Sequence, residues 1–250
     1  MRRMSRRRKS TLFSAVIVAI AALCTYFFMG GPELSDQTEE GQAVSIPAPE
    51  KGRELQIQYL DAGQADATLI RLPNGQTMLI DAGGNATADR LVEYIAKQGV
   101  KRIDFLIGTH PHEDHIGGLP YVLKQVNAPV YCTKLTAGIL SNKLEEHHLL
   151  SKTKIKIVAA GDTVKLGSFK VEFIHVNHSI ADAVALAITT PLGTVIHTGD
   201  FKLDLTPIQG KMMDIARLGE LGNQGVLALF GESTNVERPG FTPSEKTVGA

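Results

Sequence analysis

The stretch Thr109-His110-Pro111-His112-Glu113-Asp114-His115-Ile116-Gly117-Gly118 constrains this chain more than any other. Three histidines and an aspartate fall within six residues, directly after the largely apolar run 104–108. A strand that stops in such a cluster puts imidazoles and a carboxylate on one loop, aimed at a common point. Neutral imidazole nitrogen and carboxylate oxygen are donors that zinc or manganese accept. The alternative is a polar loop with chance histidines. Only eight histidines occur in 250 residues, so three at this spacing mark a metal site.

The length allows one sizeable domain with appendages, and a hydrophobic share of 43% is ordinary for a globular protein. Charge is unevenly spread. Arg2, Arg3, Arg6, Arg7, Arg8 and Lys9 crowd the first ten residues without an acid; removing those six leaves 20 basic against 26 acidic residues. A nucleic-acid binder usually carries a basic patch, so here such a patch is local or supplied by bound metal. Cys24 lies in an apolar run and Cys132 in an expected strand, which excludes a disulfide framework.

Residues 11–29 contain no charge. As a helix they would extend roughly 28 Å, close to the hydrocarbon thickness of a bilayer. The preceding basic tail, residues 1–10, fits a cytoplasmic N-terminus, and an uncleaved transmembrane anchor is favoured over a cleaved signal peptide. Residues 30–52 are rich in Gly, Pro, Ser, Glu and Gln and read as a flexible linker. The folded domain is expected over 53–250, on the far side of the membrane.

Within that domain the pattern predicts strands at 55–60, 67–72, 77–81 and 103–108. Pro73-Asn74-Gly75 makes a tight turn between the second and third. Helical spacing covers 86–98 through Leu91, Ile95 and Ala96. A helix follows Gly118 to about 127, then a strand at 129–132 and a helix over 135–148. From Lys154 to Asp200 the pattern turns to strands, at 155–158, 163–166, 169–173, 183–188 and 194–200. A helix near 210–219 and a strand near 225–230 close the series. Such an order predicts two sheets packed face to face with helices outside, an α/β sandwich.

The six-residue cluster can support two metals. His110 and His112 serve one ion, and Asp114 with His115 serves the other. Further ligands must come from distant segments ending at sheet edges. His178 follows a strand and is the best third ligand for the first metal; Asp200, at the end of Val195–Asp200, is the best bridging carboxylate. His197 is read as supporting or packing, His147 and His148 as solvated, and His175 receives no role.

Asp81 at a strand end, the His-x-His-x-Asp-His run, then His178 and Asp200 resemble the ordered motifs of the metallo-β-lactamase-fold hydrolases, over about 54–250. The resemblance implies an αβ/βα sandwich with the metals at one edge of the sheets, Asp81 fixing a ligand histidine, and two zinc ions, with manganese as an alternative. Residues 54–118, with Asp61-Ala-Gly-Gln-Ala-Asp66, resemble the extracellular hydrolase domain of ComEC-type DNA-uptake proteins. Residues 116–250 resemble bacterial ribonuclease J through Ile116–Lys124, Val176–Ile180, Thr190–Lys202 and Ser233–Glu245. The two resemblances meet at the metal motif, as in a hybrid.

The ribonuclease J pattern implies RNA as substrate, attacked by a metal-activated hydroxide, with Asp114 and Asp200 orienting it and Glu232 near the leaving group. It places the chain in the cytoplasm, whereas the apolar segment and the ComEC-like half imply a membrane-anchored hydrolase acting on single-stranded DNA outside it. The superfamily's last metal-binding histidine is absent after His197, and the resemblance implies a sandwich that is C-terminally incomplete, stopping before an inserted β-CASP domain. A catalytically incomplete metal-binding module is therefore a third reading.

Overall fold

The computed structural model describes residues 54–208 and 211–247. The basic tail, the apolar segment 11–29 and the linker 30–52 lie outside them. Among the described residues no helix is long and apolar enough to cross a membrane. The longest, Lys134–Glu146, has 13 residues, about 20 Å at 1.5 Å per residue against roughly 30 Å of hydrocarbon. The expectation of a sandwich preceded by a transmembrane helix is corrected accordingly: the fold is the sandwich.

The first sheet holds β1 (Gln56–Tyr59), β2 (Thr68–Arg71), β3 (Thr77–Ile80), β4 (Phe105–Gly108), β5 (Val130–Cys132) and β6 (Ile155–Ile157), in that spatial order. Its first three strands meander antiparallel, and β3 to β6 run parallel. Parallel neighbours need a crossover. The crossovers are α1 (Ala88–Lys97) between β3 and β4, α2 (Glu113–Ile116) with α3 (Leu119–Gln125) between β4 and β5, and α4 (Lys134–Glu146) before β6. The second sheet has the order β11-β10-β9-β8-β7, from β7 (Thr163–Leu166), β8 (Phe169–His175), β9 (Val184–Thr190), β10 (Gly193–His197) and β11 (Ala228–Phe230). Its last crossover is α5 (Ile215–Gln224).

Strand alternation sorts the side chains into three buried layers. Leu79, Leu106 and Val130 face the helices and pack with Leu91, Ile95, Leu119, Val122, Leu140 and Leu144. Their neighbours Met78, Ile80 and Ile107 face the other way and meet Val171, Phe173, Val184, Leu186 and Ile188 across the sandwich. On the outer face of the second sheet, Ala185, Ala187 and Ile196 pack with Leu221 and Met213; the small alanines let α5 lie close. The order helix, sheet, sheet, helix is the αβ/βα sandwich.

Sequence boundaries moved where side chains intervened. The helix expected at 210–219 starts at Ile215, because the Asp214 carboxylate accepts the Arg217 amide at 3.0 Å and caps it. The strand expected to reach Asp200 stops at His197, since Gly199 adopts φ +54° and turns the chain. Ala96, expected on the buried face of α1, is exposed.

Strands β1, β3, β4, β8, β10 and β11 all end, by direction and register, at one edge of the sandwich. The loops that follow them carry Asp66, Asp81, His110, His178, Asp200 and Glu232.

Candidate metal centre

Local backbone explains how one short motif presents three imidazoles. Beyond β4, His112 is still extended at φ −65°, ψ 150°, so His110 and His112 fall on the same side of the chain. The chain then coils: the His115 and Ile116 amides both donate to the His112 carbonyl at 3.1 Å. That single turn of α2 brings His115 back beside His110, with ring centroids 3.9 Å apart.

The turn is clamped onto the loop after β3. The Ala82 amide donates to the His115 carbonyl and the Gly118 amide to the Gly83 carbonyl, each at 2.8 Å. The two backbones are so close that a Cβ on Gly118 would sit 2.0 Å from the Ala82 carbonyl oxygen. Gly118→Ala is therefore expected to cost about 3 kcal/mol, the upper end of overpacking, because backbone and not a side chain must yield. A urea unfolding curve reads this directly; an unchanged midpoint would show that the clamp is loose.

Two clusters of donor atoms result. His110, His112 and His178 form one, and His110, His115 and Asp200 the other, with the polar atoms of each within 4.8 Å of one another. His112 Nδ1 lies 3.1 Å from His110 Nε2 and 3.2 Å from His178 Nε2. Asp200 stands between the clusters: its Oδ1 is 3.5 Å from His115 Nε2, and its Oδ2 is 3.6 Å from His178 Nε2 and 3.9 Å from His110 Nε2. The loops bearing His178 and Asp200 are tied together, the Lys202 amide donating to the Asn177 carbonyl at 2.7 Å.

The His178 loop is also held from the other side. Asp182, at φ +70°, accepts the Leu135 amide at 3.0 Å through its carboxylate and the Thr133 hydroxyl at 2.9 Å through its carbonyl. It thereby caps the N-terminus of α4 from a distant part of the chain.

Asp81 lies beneath the site, fully buried and also in a left-handed conformation. Its carboxylate accepts the Thr109 amide at 2.9 Å, the Thr109 hydroxyl at 2.6 Å and His115 Nδ1 at 2.8 Å. With Nδ1 so engaged, His115 offers Nε2 to Asp200. His197 supports the Asp200 turn: its Nδ1 accepts the Gly199 amide at 3.1 Å, which leaves Nε2–H to donate to the Thr68 hydroxyl at 3.2 Å. Burial pushes its pKa down and keeps the ring neutral.

Protonation of the two clusters follows from burial and charge. Burial, then the charge of His115, lowers His110 to about 3, and burial likewise lowers His178, so both rings are in the neutral form that binds metal. Burial acts against charge on His115 as well, but Asp81 and Asp200 outweigh it and push the ring up to about 11. Asp200 resists burial in the same way, held at about 2 by His115, His110 and His178.

The donor set fits a divalent ion. Ligands arranged tetrahedrally at 2.0–2.1 Å from zinc stand about 3.3 Å apart, and the three imidazoles of the first cluster meet at 3.1 and 3.2 Å. Neutral rings have one N–H each, so three nitrogens turned on one point are better satisfied by a cation than by each other.

Asp114 belongs to neither cluster. It lines a cavity of about 400 Å³ together with Asp66, His115, Asp200 and Glu232. Glu232 stands at the junction of this cavity and a second of about 490 Å³ that reaches His178 and Lys202. Its carboxylate accepts the Thr234 amide at 2.6 Å. The remaining histidines lie elsewhere: His147 packs edge-on to Tyr121, His148 is exposed, and His175 Nε2 sits 3.3 Å from the Lys211 carbonyl.

One acid at the site was not singled out by sequence. Burial and the charge of Asp81 raise Asp66 to about 6, and its amide donates to the Asp114 carbonyl at 3.2 Å. In sequence it reads as the end of the glycine-containing turn Asp61–Asp66; an acid closing a turn at the same edge as Asp81 was the available signal.

A protein-family model described as the metallo-beta-lactamase superfamily matches residues 60–215. Ribonuclease J of Synechocystis sp. is 49% identical over 154 residues, covering 61% of this chain and 24% of that protein. Ribonuclease J 1 of Streptococcus pyogenes is 39% identical over 182 residues, covering 70% of this chain and 32% of the relative. The chain thus spans about a quarter to a third of the length of these curated relatives. A solved metallo-beta-lactamase of Cronobacter sakazakii covers 70% of each chain at a TM-score of 0.52 and 19% identity, a likeness of fold.

Proposed function

The chain belongs to the metallo-beta-lactamase superfamily, and from that premise we propose that it is a divalent-metal-dependent hydrolase of RNA phosphodiester bonds. The observation that carries the proposal is the pair of donor clusters sharing His110 and joined by Asp200. Zinc suits three imidazoles at this spacing; manganese is the alternative for a site richer in carboxylate oxygen. RNA is the substrate named by the relatives, which are ribonucleases J.

Electrostatics supports the requirement for metal. Asp66, Asp114, Asp200 and Glu232 line the cavity at the centre, and these carboxylates repel a phosphodiester unless cations intervene. Two bound divalent ions would supply a nucleophile at neutral pH and positive charge for the phosphoryl oxygens. His110, His112 and His178 would hold the first, and His115 with Asp200 the second, with Asp114 lining the adjoining cavity. Asp81 keeps His115 oriented, and His197 holds the turn that carries Asp200. Glu232, which lines both cavities with Asp200, would stand near the departing oxygen.

The test is hydrolysis of 5′-monophosphorylated RNA and of single-stranded DNA by protein of measured zinc and manganese content. Activity on RNA that falls to background after chelation and returns with zinc or manganese is the expected result. Protein that binds metal in both clusters yet cleaves neither polymer would instead be a metal-binding module, and the hydrolase reading would fall.

A further inference from the structure

We propose that Tyr59 and Phe230 form a nucleobase-stacking subsite beside the metal centre, taking the base of a nucleotide next to the scissile phosphate. This rests on the RNA-hydrolase reading and names a part of the substrate that the reading leaves open.

Tyr59 ends β1 and Phe230 ends β11, the outermost described strands at one side of the two sheets. Their rings meet across the sandwich with centroids 5.4 Å apart and planes inclined at 58°. The Tyr59 ring also lies nearly parallel to His197, at 6.2 Å and 21°. An aromatic pair closing a sheet edge is ordinarily buried, and here Tyr59 is 50% exposed. The exposure falls at the cavity that holds His115 and Asp200, with Gln64 and Thr234 on the same lining. At about 400 Å³ the cavity is within the size range of small-ligand sites.

A half-exposed aromatic ring, hydrogen-bonding side chains and a phosphate-directed centre in one cavity are the parts needed to hold an unstacked base. Unpaired RNA bases are bound by stacking on aromatic side chains, and every base offers a π-face, so the contact tolerates any sequence. The Tyr59 hydroxyl stays neutral, since burial and Asp66 push it up to about 12, and it adds no charge against the polymer.

The experiment uses short single-stranded RNAs carrying one 2-aminopurine at successive positions, and matched RNAs with an abasic site there. Binding to metal-loaded protein is read by fluorescence. One position should be quenched on binding, and removing its base should weaken affinity about ten-fold or more, the size of a base–aromatic stack. Tyr59→Leu should abolish both the quenching and the base-dependent difference, Tyr59→Phe should keep them, and Phe230→Leu should reduce them. The same Tyr59-dependent pattern on DNA oligonucleotides supports the subsite and moves the choice of sugar elsewhere. If RNA is bound and cleaved but Tyr59→Leu discriminates base from abasic site as the wild type does, the subsite is overturned while the hydrolase reading stands. If the wild type binds and cleaves neither RNA nor DNA, the hydrolase reading fails and the subsite with it.

Discussion

Replacing His112 with alanine is expected to lower RNA hydrolysis by more than about 100-fold, beyond the loss typical of groups that only support a metal ligand. The stability of the metal-free protein should hardly change. The reason lies in what His112 touches. It is half-buried, makes no side-chain cap for α2, and among the described residues its Nδ1 meets only His110 and His178. Its removal therefore takes a donor from the three-histidine cluster and almost nothing from the core. Elemental analysis should show loss of that cluster's ion, with a thermal transition of the chelated protein close to wild type. Full metal content together with lost activity would mean that His112 acts on substrate and not on metal.

Asp81→Ala is expected to do the opposite and destabilise the fold by about 3–5 kcal/mol, the cost of breaking a buried charged pair from one side. Three donors, the Thr109 amide and hydroxyl and His115, lose their acceptor in a place closed to water. Asp81→Asn keeps the shape and tolerates φ +54°, but its amide must turn N–H against a donor or lose an acceptor, so a smaller loss follows.

The pair also sets a pH signature in the metal-free protein. Burial opposes charge on Asp81, yet His115 and Thr109 hold its pKa below the ordinary 3.8; its contribution is present above that value and lost as pH falls. His115 is raised from 6.5 to about 11; its contribution is complete below 6.5 and fades as pH rises toward 11. The pair's own contribution is therefore greatest between about pH 4 and 6.5. His110, His178 and His197, held neutral, make wild-type stability rise up to about pH 6.5, and Asp81→Ala should weaken the decline above it. A denaturant series across pH tests it, and an equally steep decline in the variant would remove Asp81 from the argument.

Strand and helix order was legible because the short apolar runs 77–80 and 105–108, buried on both faces, and the helical spacing through Leu91 and Ile95 mark buried elements. Ends were less so, since Asp214 and Gly199 act through a cap and a turn that periodicity does not record. The apolar run 11–29 lies outside the described residues, among which no helix is long and apolar enough to cross a membrane.

The metal motif was legible for a different reason. Ligand spacing is local: two extended residues and one helical turn suffice to gather His110, His112 and His115, and all three are within six positions of one another. Sequence by itself therefore determined that the loop after β4 gathers imidazole donors of the kind a divalent metal accepts. Strand ends and motif order pointed to the distant partners, but their convergence was decided by tertiary structure alone, because β3, β8, β10 and β11 had to end at one edge before Asp81, His178, Asp200 and Glu232 could meet. Asp114 adjoins His115 in sequence, yet the α2 turn directs it to the cavity and outside both clusters. Tyr59 carried no local signature, and Asp66 only that of an acid closing a turn. They belong to the site because a strand end and a turn were brought within reach of Asp200, and proximity across a fold is not written in the spacing of a chain.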